Sequence, residues 1–281
     1  MNKIPIIINL PQSIERKETV AKRLEGMFDS HIVLEAVDGA RLKDLAYSEK
    51  IGKILDIPST KVHSSYFMDR KNFQSYNRDE DIVLAKAGCF LSHMVAINFA
   101  LTENLSNILI LEDDFKILNK NIKNIEIKPD SLITYFGGQS TIEVPANDGF
   151  LSLEKYELLG TYGYGVGCRN QLTTLFNLMK SVFNDGIGRI KLKDDFNPIK
   201  DRLKMMSIDL FYKKFIHSKC VLACPPSIGH NDEVESTISN TKKYKKRYGN
   251  KCISKLINDS EGNINLSISG KAVNHTQAVV I

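Results

Sequence analysis

The chain opens with an unbroken apolar run, Ile4 to Leu10, that is rich in isoleucine and has the length of one strand. A strand that is apolar throughout, instead of at alternate residues, is typical of the buried centre of a parallel sheet. Apolar residues then recur at helical spacing after Ser13, which is expected to cap a helix. His31 to Val37 returns to strand character before the turn pair Asp38-Gly39. This β-α-β order, with its right-handed crossover, predicts an α/β fold.

The rest of the chain continues the alternation of helices and strands. A helix is predicted from Asp81 to Leu101, where apolar side chains cover most of the surface, and another from about residue 170 to 183. Strands are predicted at Asn107–Leu111, Leu132–Phe136, Thr161–Val166 and Lys219–Cys224. Residues 40–80 contain helix-like spacing around Leu42 to Ile54, but we interpret them as an insertion or flexible loop.

Length and composition indicate a folded globular protein. The 281 residues suit one large domain or two packed halves, and 42% hydrophobic with 25% charged residues argue against a disordered or fibrous chain. The formal net charge of +5 is too small to require nucleic acid as a partner. We predict one domain over residues 1–240 and a basic, then polar, C-terminal tail over 241–281.

The sequence predicts a cytoplasmic protein. Its longest apolar runs fall short of the ~20 residues that a membrane-spanning helix needs, and residues 1–15 resemble neither a secretory nor a transit peptide. Cysteine is sparse and odd in number, which predicts reduced core thiols and no disulfide framework. The five cysteines are Cys89, Cys168, Cys220, Cys224 and Cys252.

Three consecutive carboxylates, Glu112-Asp113-Asp114, directly follow the apolar strand that ends at Leu111. In open α/β sheets, ligands bind at the carboxyl ends of strands, and clustered carboxylate oxygens suit hard cations such as Mg²⁺ or Mn²⁺. A cation there would hold phosphates, because carboxylates alone repel a pyrophosphate. The alternative interpretation is a solvated acidic turn.

The acidic triplet and a second motif together resemble a known enzyme family. Gly88-Cys89-Phe90-Leu91-Ser92-His93 lies on the preceding helix, and Leu111-Glu112-Asp113-Asp114 follows at the strand end. Ile8-Asn9-Leu10, Arg16 and Val37-Asp38-Gly39 are weaker matches. In this order and spacing they resemble glycosyltransferase family 25, which includes bacterial lipooligosaccharide and lipopolysaccharide galactosyltransferases and collagen-modifying domains.

The resemblance extends over about residues 4–240 and implies a GT-A type fold with a mostly parallel central sheet flanked by helices. It also implies a UDP-sugar donor, usually UDP-galactose, a divalent metal (Mn²⁺ or Mg²⁺) and inversion at the anomeric carbon. Residues 1–118 would bind the donor and 119–240 the acceptor. Glu112 and Asp114 match the two acidic positions of a DxD-like motif that holds the metal. The implied donor-binding residues are Asn9, Leu10, Arg16, Asp38, Gly39, Ser92, His93 and Asp113.

Two residues of the second half complete the implied site. Ser207-Ile208-Asp209 resembles a later family element that ends in aspartate, so Asp209 is the candidate for the base that an inverting transfer needs. A helix cap or a solvated loop carboxylate is the alternative for Asp209, and Asp194 and Asp195 are rival bases. His230 is the candidate third metal ligand, with a plain surface histidine as the alternative.

Other interpretations of the histidines remain open. His93 lies in a mostly apolar helix, so the alternative to a donor-binding role is a buried core histidine that hydrogen-bonds to a carbonyl. The string His217, Cys220, Cys224 and His230 suggests zinc, but its spacing is not a recognised finger, so core thiols are the expectation.

The lysine- and arginine-rich run at 242–251 predicts either a solvated helix face or peripheral contact with the inner membrane face. We therefore predict a metal-dependent transfer of a hexose, galactose, from a UDP-sugar to a saccharide of a bacterial surface glycolipid, without a nucleic-acid partner. The alternatives are UDP-glucose as donor, an inactive relative that binds nucleotide or glycan, and, last, a phosphohydrolase. Aromatic residues that could stack on sugar rings are Tyr66, Phe67, Phe73 and Tyr76.

Overall fold

The structure is a computed structural model that describes residues 2–69, 79–140, 149–155, 158–183, 207–230 and 276–279. Its strands are β1 (Ile4–Asn9), β2 (His31–Glu35), β3 (Ile108–Glu112), β4 (Phe115–Ile117), β5 (Ile133–Tyr135), β6 (Gln139–Ser140), β7 (Gly149–Ser152), β8 (Leu158–Leu159), β9 (Gly163–Val166), β10 (Cys220–Cys224), β11 (Ile228–His230) and β12 (Thr276–Val279). Its α-helices are α1 (Ile14–Leu24), α2 (Leu45–Leu55), α3 (Ser59–Val62), α4 (Ser64–Met68), α5 (Glu80–Thr102), α6 (Arg169–Ser181) and α7 (Ile208–Phe215). Single 3₁₀ segments cover Gly39–Lys43, Lys120–Lys123, Leu153–Lys155 and His217–Lys219.

Eight of the described strands form one sheet in the order β12-β2-β1-β3-β9-β5-β10-β7. Strands β12, β2, β1, β3, β5 and β10 run in one direction, and β9 and β7 run against them. Two short antiparallel pairs, β4 with β11 and β6 with β8, stand outside this sheet. The predicted α/β class, a mostly parallel sheet flanked by helices, is confirmed.

The opening strand is buried on both faces, which explains its unbroken apolar sequence. Ile6 and Ile8 belong to the larger core cluster, with α5, whereas Ile7 packs in a second cluster with Val20 and Leu24 of α1. Alternate side chains of a strand point to opposite faces, so a strand covered on both sides is apolar at consecutive positions, here from Ile4 to Ile8. β1 is therefore the central strand that the sequence predicts.

Helix α5 is the main support of the larger core. Asp79 caps it by accepting a hydrogen bond from the Asp81 backbone nitrogen at 3.1 Å. By length and composition α5 is also apolar enough to cross a membrane, but 67% of its apolar stretch is buried inside the protein, as is ordinary for a core helix. The prediction of a buried helix at 81–101 is confirmed.

The interpretation of residues 40–80 as an insertion or flexible loop is wrong for the part that the structure describes. Residues 39–68 form a 3₁₀ segment and three helices. Their apolar side chains enter the larger core, since Leu42, Ile51, Leu55, Val62 and Phe67 are 0–1% exposed. Phe67 is thus a core residue and not a sugar platform. Residues 70–78, with Phe73 and Tyr76, lie outside the described residues.

Two further expectations differ from the structure. Ser13 precedes α1 as predicted, but its side chain makes no capping hydrogen bond. The segment predicted as a polar tail contributes β12, which pairs in parallel with β2 at the sheet edge. The boundary at residue 240 remains a prediction, and most of 241–281 lies outside the described residues.

Candidate active site at the carboxyl edge of the sheet

The predicted site residues of the first half meet at one edge of the sheet. β1 ends at Asn9, β3 ends at Glu112, and the chain after β2 reaches Asp38 and Gly39. Because these strands are parallel neighbours, their carboxyl ends lie side by side. The antiparallel β9 starts at the same edge, where Gly163 pairs with Leu111. The edge therefore joins segments that are far apart in sequence.

Asp113, the residue after β3, is held in place by hydrogen bonds from the end of β1 and from α1. Its two carboxylate oxygens accept hydrogen bonds from Asn9 Nδ2 at 2.8 Å and from Arg16 at 3.0 Å. Arg23 of α1 donates to the backbone oxygens of Asp113 and Phe115 at 3.3 and 2.6 Å. Burial raises the pKa of the Asp113 carboxyl, although the Arg16 charge opposes the shift. The structure thus brings three predicted donor-binding residues together, in contact with one another; donor binding itself stays a prediction.

Glu112 lies next to Asp113 and contacts a different set of residues. Its Oε1 accepts a hydrogen bond from the Thr161 hydroxyl and lies 3.4 Å from His93 Nε2. The other ring nitrogen of His93, Nδ1, is 2.8 Å from the Tyr164 hydroxyl, which is 2.9 Å from the Tyr212 hydroxyl. Burial raises the pKa of both tyrosines well above the ordinary value, so both hydroxyls stay neutral. A buried polar chain therefore positions the imidazole against Glu112.

Helix α5 presents the residues of the 88–93 motif on two adjacent stripes. Gly88 and Ser92, four residues apart, face the segment after β2 and form the packing stripe. A Cβ atom on Gly88 would meet Val37 O and Gly39 N at 2.7 Å, so only glycine allows this approach. The Ser92 hydroxyl accepts from Val37 N at 2.8 Å and donates to Gly88 O at 2.7 Å. These buried contacts give Ser92 a structural role, and its predicted donor contact stays untested.

The other stripe, formed by Cys89 and His93, faces Glu112, and we call it the site stripe. Cys89 Sγ, a His93 ring nitrogen and a Glu112 oxygen all lie within 4.8 Å of one another. The pKa of the Cys89 thiol is raised well above its usual value, mainly by burial and further by the charges of Glu112, Asp209 and Asp114. Sequence reasoning did not include Cys89 or Thr161 in the site. The four-residue spacing of Cys89 and His93 was the available signal for Cys89; nothing marked Thr161.

Asp38, Gly39 and Leu10 form the rim of the edge near β2. Asp38 caps the following 3₁₀ segment through Ala40 N at 3.0 Å and lies 3.4 Å from Gln12 Nε2. Gly39 is pressed against α5, because a Cβ there would meet Leu84 O at 2.0 Å. Leu10 packs, partly buried, on the larger core. Asp38, which is half-buried, is thus the residue of this group that offers a carboxylate at the edge.

Asp114, His230 and Asp209 come from three separate segments. β11 pairs with β4 so that His230 is the backbone partner of Phe115, the residue next to Asp114; the His230 side chain lies outside the description. Asp209 lies in the first turn of α7, with Oδ1 accepting from Ser207 Oγ at 2.5 Å and Leu210 N at 2.8 Å. Its charge is one of those that raise the pKa of the Cys89 thiol, and α7 contacts α5. Asp194 and Asp195 lie outside the described residues.

The three carboxylates of the acidic triplet differ in whether their surroundings suit the divalent cation that the sequence implies. Asp113 is committed to Asn9 and Arg16, which leaves Glu112 and Asp114 to supply carboxylate oxygens. Oxygen donors at this edge fit Mg²⁺ or Mn²⁺. Near Glu112, however, the neighbours are an imidazole and a thiol, which prefer softer cations. The residues fit a hard cation on the Asp114 side.

Comparison with known proteins identifies the family. The family model described as glycosyltransferase family 25 (LPS biosynthesis protein) matches residues 2–156, more than half of the chain. The chain belongs to glycosyltransferase family 25. The match includes both motifs, at 88–93 and 111–114, whereas Asp209 and His230 lie beyond it. Membership supports a glycosyltransferase role in lipopolysaccharide biosynthesis, with a sugar donor and an acceptor.

Other comparisons add little. No curated protein matches the chain. One solved structure, "crystal structure of a glycosyltransferase involved in the glycosylation of the major capsid of PBCV-1", is 13% identical and aligns over 79% of this chain and 82% of that one. Its TM-score of 0.29 is too low to support an argument about the site.

Proposed function

We propose that this family 25 member is a metal-dependent hexosyltransferase of GT-A type that moves galactose from UDP-galactose to a saccharide acceptor of a bacterial surface glycolipid, with inversion. The observation that carries the proposal is the position of Glu112 and Asp114 at the carboxyl edge of a mostly parallel sheet. Nucleotide phosphates bind at such edges, and carboxylates there need a cation to bridge them to a diphosphate.

The chain's own residues divide into cation, donor and rim positions. Glu112 and Asp114 would hold Mn²⁺ or Mg²⁺, with His230 as the third ligand. When bound, the cation would neutralise charge on the leaving diphosphate. Arg16 adds positive charge at the end of β1, and Asn9 fixes the Asp113 carboxylate beside it. The proposed donor-binding residues are Asn9, Leu10, Arg16, Asp38, Gly39, Ser92, His93 and Asp113.

Asp209 is the proposed catalytic base. The acceptor hydroxyl must lose its proton as it attacks the anomeric carbon from the side opposite the diphosphate, and a carboxylate within hydrogen-bond reach suffices. Asp209 is half-buried on α7, which contacts α5, and its Oδ1 is oriented by Ser207 and Leu210. In Asp209→Asn, kcat should fall by about 100-fold or more while the Kd for the donor stays unchanged. An unchanged kcat would exclude this base.

The acceptor and the location of the protein follow from the family description together with the basic run at 242–251, which lies outside the described residues. A cytoplasmic enzyme held against anionic lipid by this run would meet a lipid-linked acceptor at the inner membrane face. Binding to anionic vesicles that falls as salt rises supports this location. Equal binding to neutral vesicles contradicts it.

Calorimetric titration tests the donor and the metal together. UDP-galactose, UDP-glucose and UDP-N-acetylgalactosamine are titrated with and without Mn²⁺ into the wild type, Asp114→Ala and the control Asp130→Ala, which changes an exposed aspartate in a turn. We expect metal-dependent binding of UDP-galactose that Asp114→Ala abolishes and Asp130→Ala retains.

Each other result changes the proposal in a defined way. Preference for UDP-glucose would replace the sugar. Binding without turnover on any saccharide acceptor would indicate an inactive relative. If no UDP-sugar binds with or without Mn²⁺, the proposed donor is wrong.

A further inference from the structure

Cys89, His93 and Glu112 bring one sulfur, one nitrogen and one oxygen donor to a single point between α5 and β3. These three ligand atoms lie within 4.8 Å of one another. Cys89 and His93 stand one helical turn apart, so both side chains leave α5 on the same side. Glu112 faces them because it is the last residue of β3.

The imidazole has a ring nitrogen aimed into this cluster. His93 is fully buried, and its Nε2 has no hydrogen-bond partner in the described part of the chain. The Glu112 carboxylate lies 3.4 Å from it, at ion-pair distance but without hydrogen-bond geometry. Leaving a buried nitrogen unsatisfied costs about 1–3 kcal/mol, so an orphan at this position points to a missing ligand.

The spacing and the surroundings agree with a tetrahedral cation. Zinc bonds of about 2.0–2.2 Å to nitrogen and oxygen place those two ligand atoms roughly 3.3–3.5 Å apart, as His93 and Glu112 are. Since the thiol lies within 4.8 Å of both atoms, it would have to approach by no more than about 1.3 Å. On the far side of the ring, Nδ1 bonds Tyr164, which bonds Tyr212, and such outer hydrogen bonds orient ligating histidines.

We propose that Cys89, His93 and Glu112 form a site for a thiophilic divalent cation, with zinc as its representative. This site shares Glu112 with the proposed Mn²⁺ or Mg²⁺ site, whose other carboxylate is Asp114, and differs from it by its thiolate and imidazole ligands. The Cys89 thiol binds as thiolate and releases its proton to solvent. Cys89 is partly exposed, and a water molecule would supply the fourth ligand. Zinc binding here needs no UDP-sugar, although the site shares His93 and Glu112 with the donor and cation sites proposed above.

Metal titration of the full-length, metal-free protein tests the site. Zn²⁺ is followed by calorimetry and melting temperature, and Co²⁺ by the thiolate-to-metal absorption band that reports a sulfur ligand. We expect one ion per chain, a higher melting temperature with zinc, and a cobalt band. Cys89→Ser and Glu112→Gln should each weaken zinc binding by about 10-fold or more and reduce the rise in melting temperature with zinc. Cys89→Ser should also abolish the cobalt band, because the band needs the sulfur ligand.

Cys168→Ser is the matched control, because Cys168 is an exposed free thiol at the N-terminus of α6, where serine is a favoured cap. The inference is overturned if Cys89→Ser keeps the cobalt band and the zinc affinity. It is also overturned if Cys168→Ser loses them, because the metal would then be bound adventitiously by an exposed thiol. Melting of the metal-free variants checks the fold, and Cys89→Ala replaces Cys89→Ser if the latter does not fold. Zinc binding by a chain that binds no UDP-sugar would refute the proposed function and leave this site standing.

Discussion

The packing stripe and the site stripe of α5 alternate in one six-residue motif but have different surroundings. Gly88 and Ser92 contact backbone atoms of residues 37–39. Cys89 and His93 face a carboxylate and a chain of tyrosines. Because the helix turns 100° per residue, neighbours in sequence point to different partners. A conspicuous motif can therefore combine residues that hold the fold with residues that form the site.

The end of β3 shows the same division. Asp113 is buried and bonded to Asn9 and Arg16, while the adjacent Glu112 faces Thr161 and His93. Glu112 is the last residue of β3 and Asp113 begins the turn that follows, so the two side chains contact different neighbours. The acidic triplet thus contains one carboxylate that joins β3 to Asn9 and Arg16, next to one that contacts Thr161 and His93.

The largest loss of stability is expected on the packing stripe, from Gly88→Ala. The new Cβ would meet two backbone atoms at 2.7 Å, and backbone cannot move aside as a flexible side chain can. Overpacking outweighs the better helix propensity of alanine, so the free energy of unfolding should fall by about 2 kcal/mol. Urea unfolding measures it. An unchanged or higher value would show that α5 and the 37–39 segment separate freely.

Ser92→Ala should have the next largest effect, because Val37 N would lose its buried hydrogen-bond acceptor. The expected loss is about 1–2 kcal/mol. Thr102→Ala is the control, since Thr102 makes the same kind of bond to the carbonyl four residues earlier but is exposed, so its loss should stay within about 0.5 kcal/mol. Titration with UDP-galactose then decides between the two roles of Ser92: binding weakened in a folded variant would favour donor contact.

Asp113→Asn tests the division within the triplet through pH. Burial raises the pKa of Asp113 above its value in the unfolded chain, so the folded state holds this proton more tightly. Its contribution to the free energy of unfolding therefore falls as pH rises through the range just above 3.8. Urea unfolding between about pH 4 and 7 should show this fall in the wild type and in Asp130→Asn but not in Asp113→Asn. Parallel profiles for all three proteins would contradict the assignment.

The smallest change in stability is expected from Cys89→Ala, on the site stripe. Cys89 is partly exposed, and losing one sulfur atom from such a position should lower the free energy of unfolding by less than about 1 kcal/mol in the absence of metal. Thermal or urea unfolding of the metal-free variant measures it. A loss as large as that of Gly88→Ala would mean that both stripes are structural and would remove the contrast.

The apolar pattern predicted the central strands and the buried helix α5, because a strand buried on both faces is apolar throughout and a long helix repeats its apolar residues at each turn. The acidic edge followed from the three carboxylates directly after a predicted strand. The apolar pattern failed for residues 39–68, where short helices and polar residues hide side chains such as Leu42 and Phe67 that reach the core. Short elements carry too few turns to display a period. These short helices are held in place by their contacts with α5, and not by their local sequence alone.

The site was predictable only in part. Asn9, Arg16 and Asp113, all predicted to bind the donor, lie together because they stand at the ends of neighbouring parallel strands or just after them; donor binding itself stays a prediction. The hydrogen bonds from Asn9 and Arg16 to Asp113 were not predicted, because partners about 100 residues apart in sequence meet only through the packing of whole helices and strands. Thr161 reaches Glu112 only because β9 runs antiparallel beside β3.

The sequence alone determined the α/β class, the strand that carries the carboxylates and the family, since these depend on local patterns and on motifs at fixed spacing. The tertiary structure alone decided which residue of each motif turns inward, that Asp113 supports the fold, and that Cys89, His93 and Glu112 converge. The physical reason is that side-chain direction is set by the rotation of a helix or the pleat of a strand relative to its neighbours, and those neighbours come from distant parts of the chain.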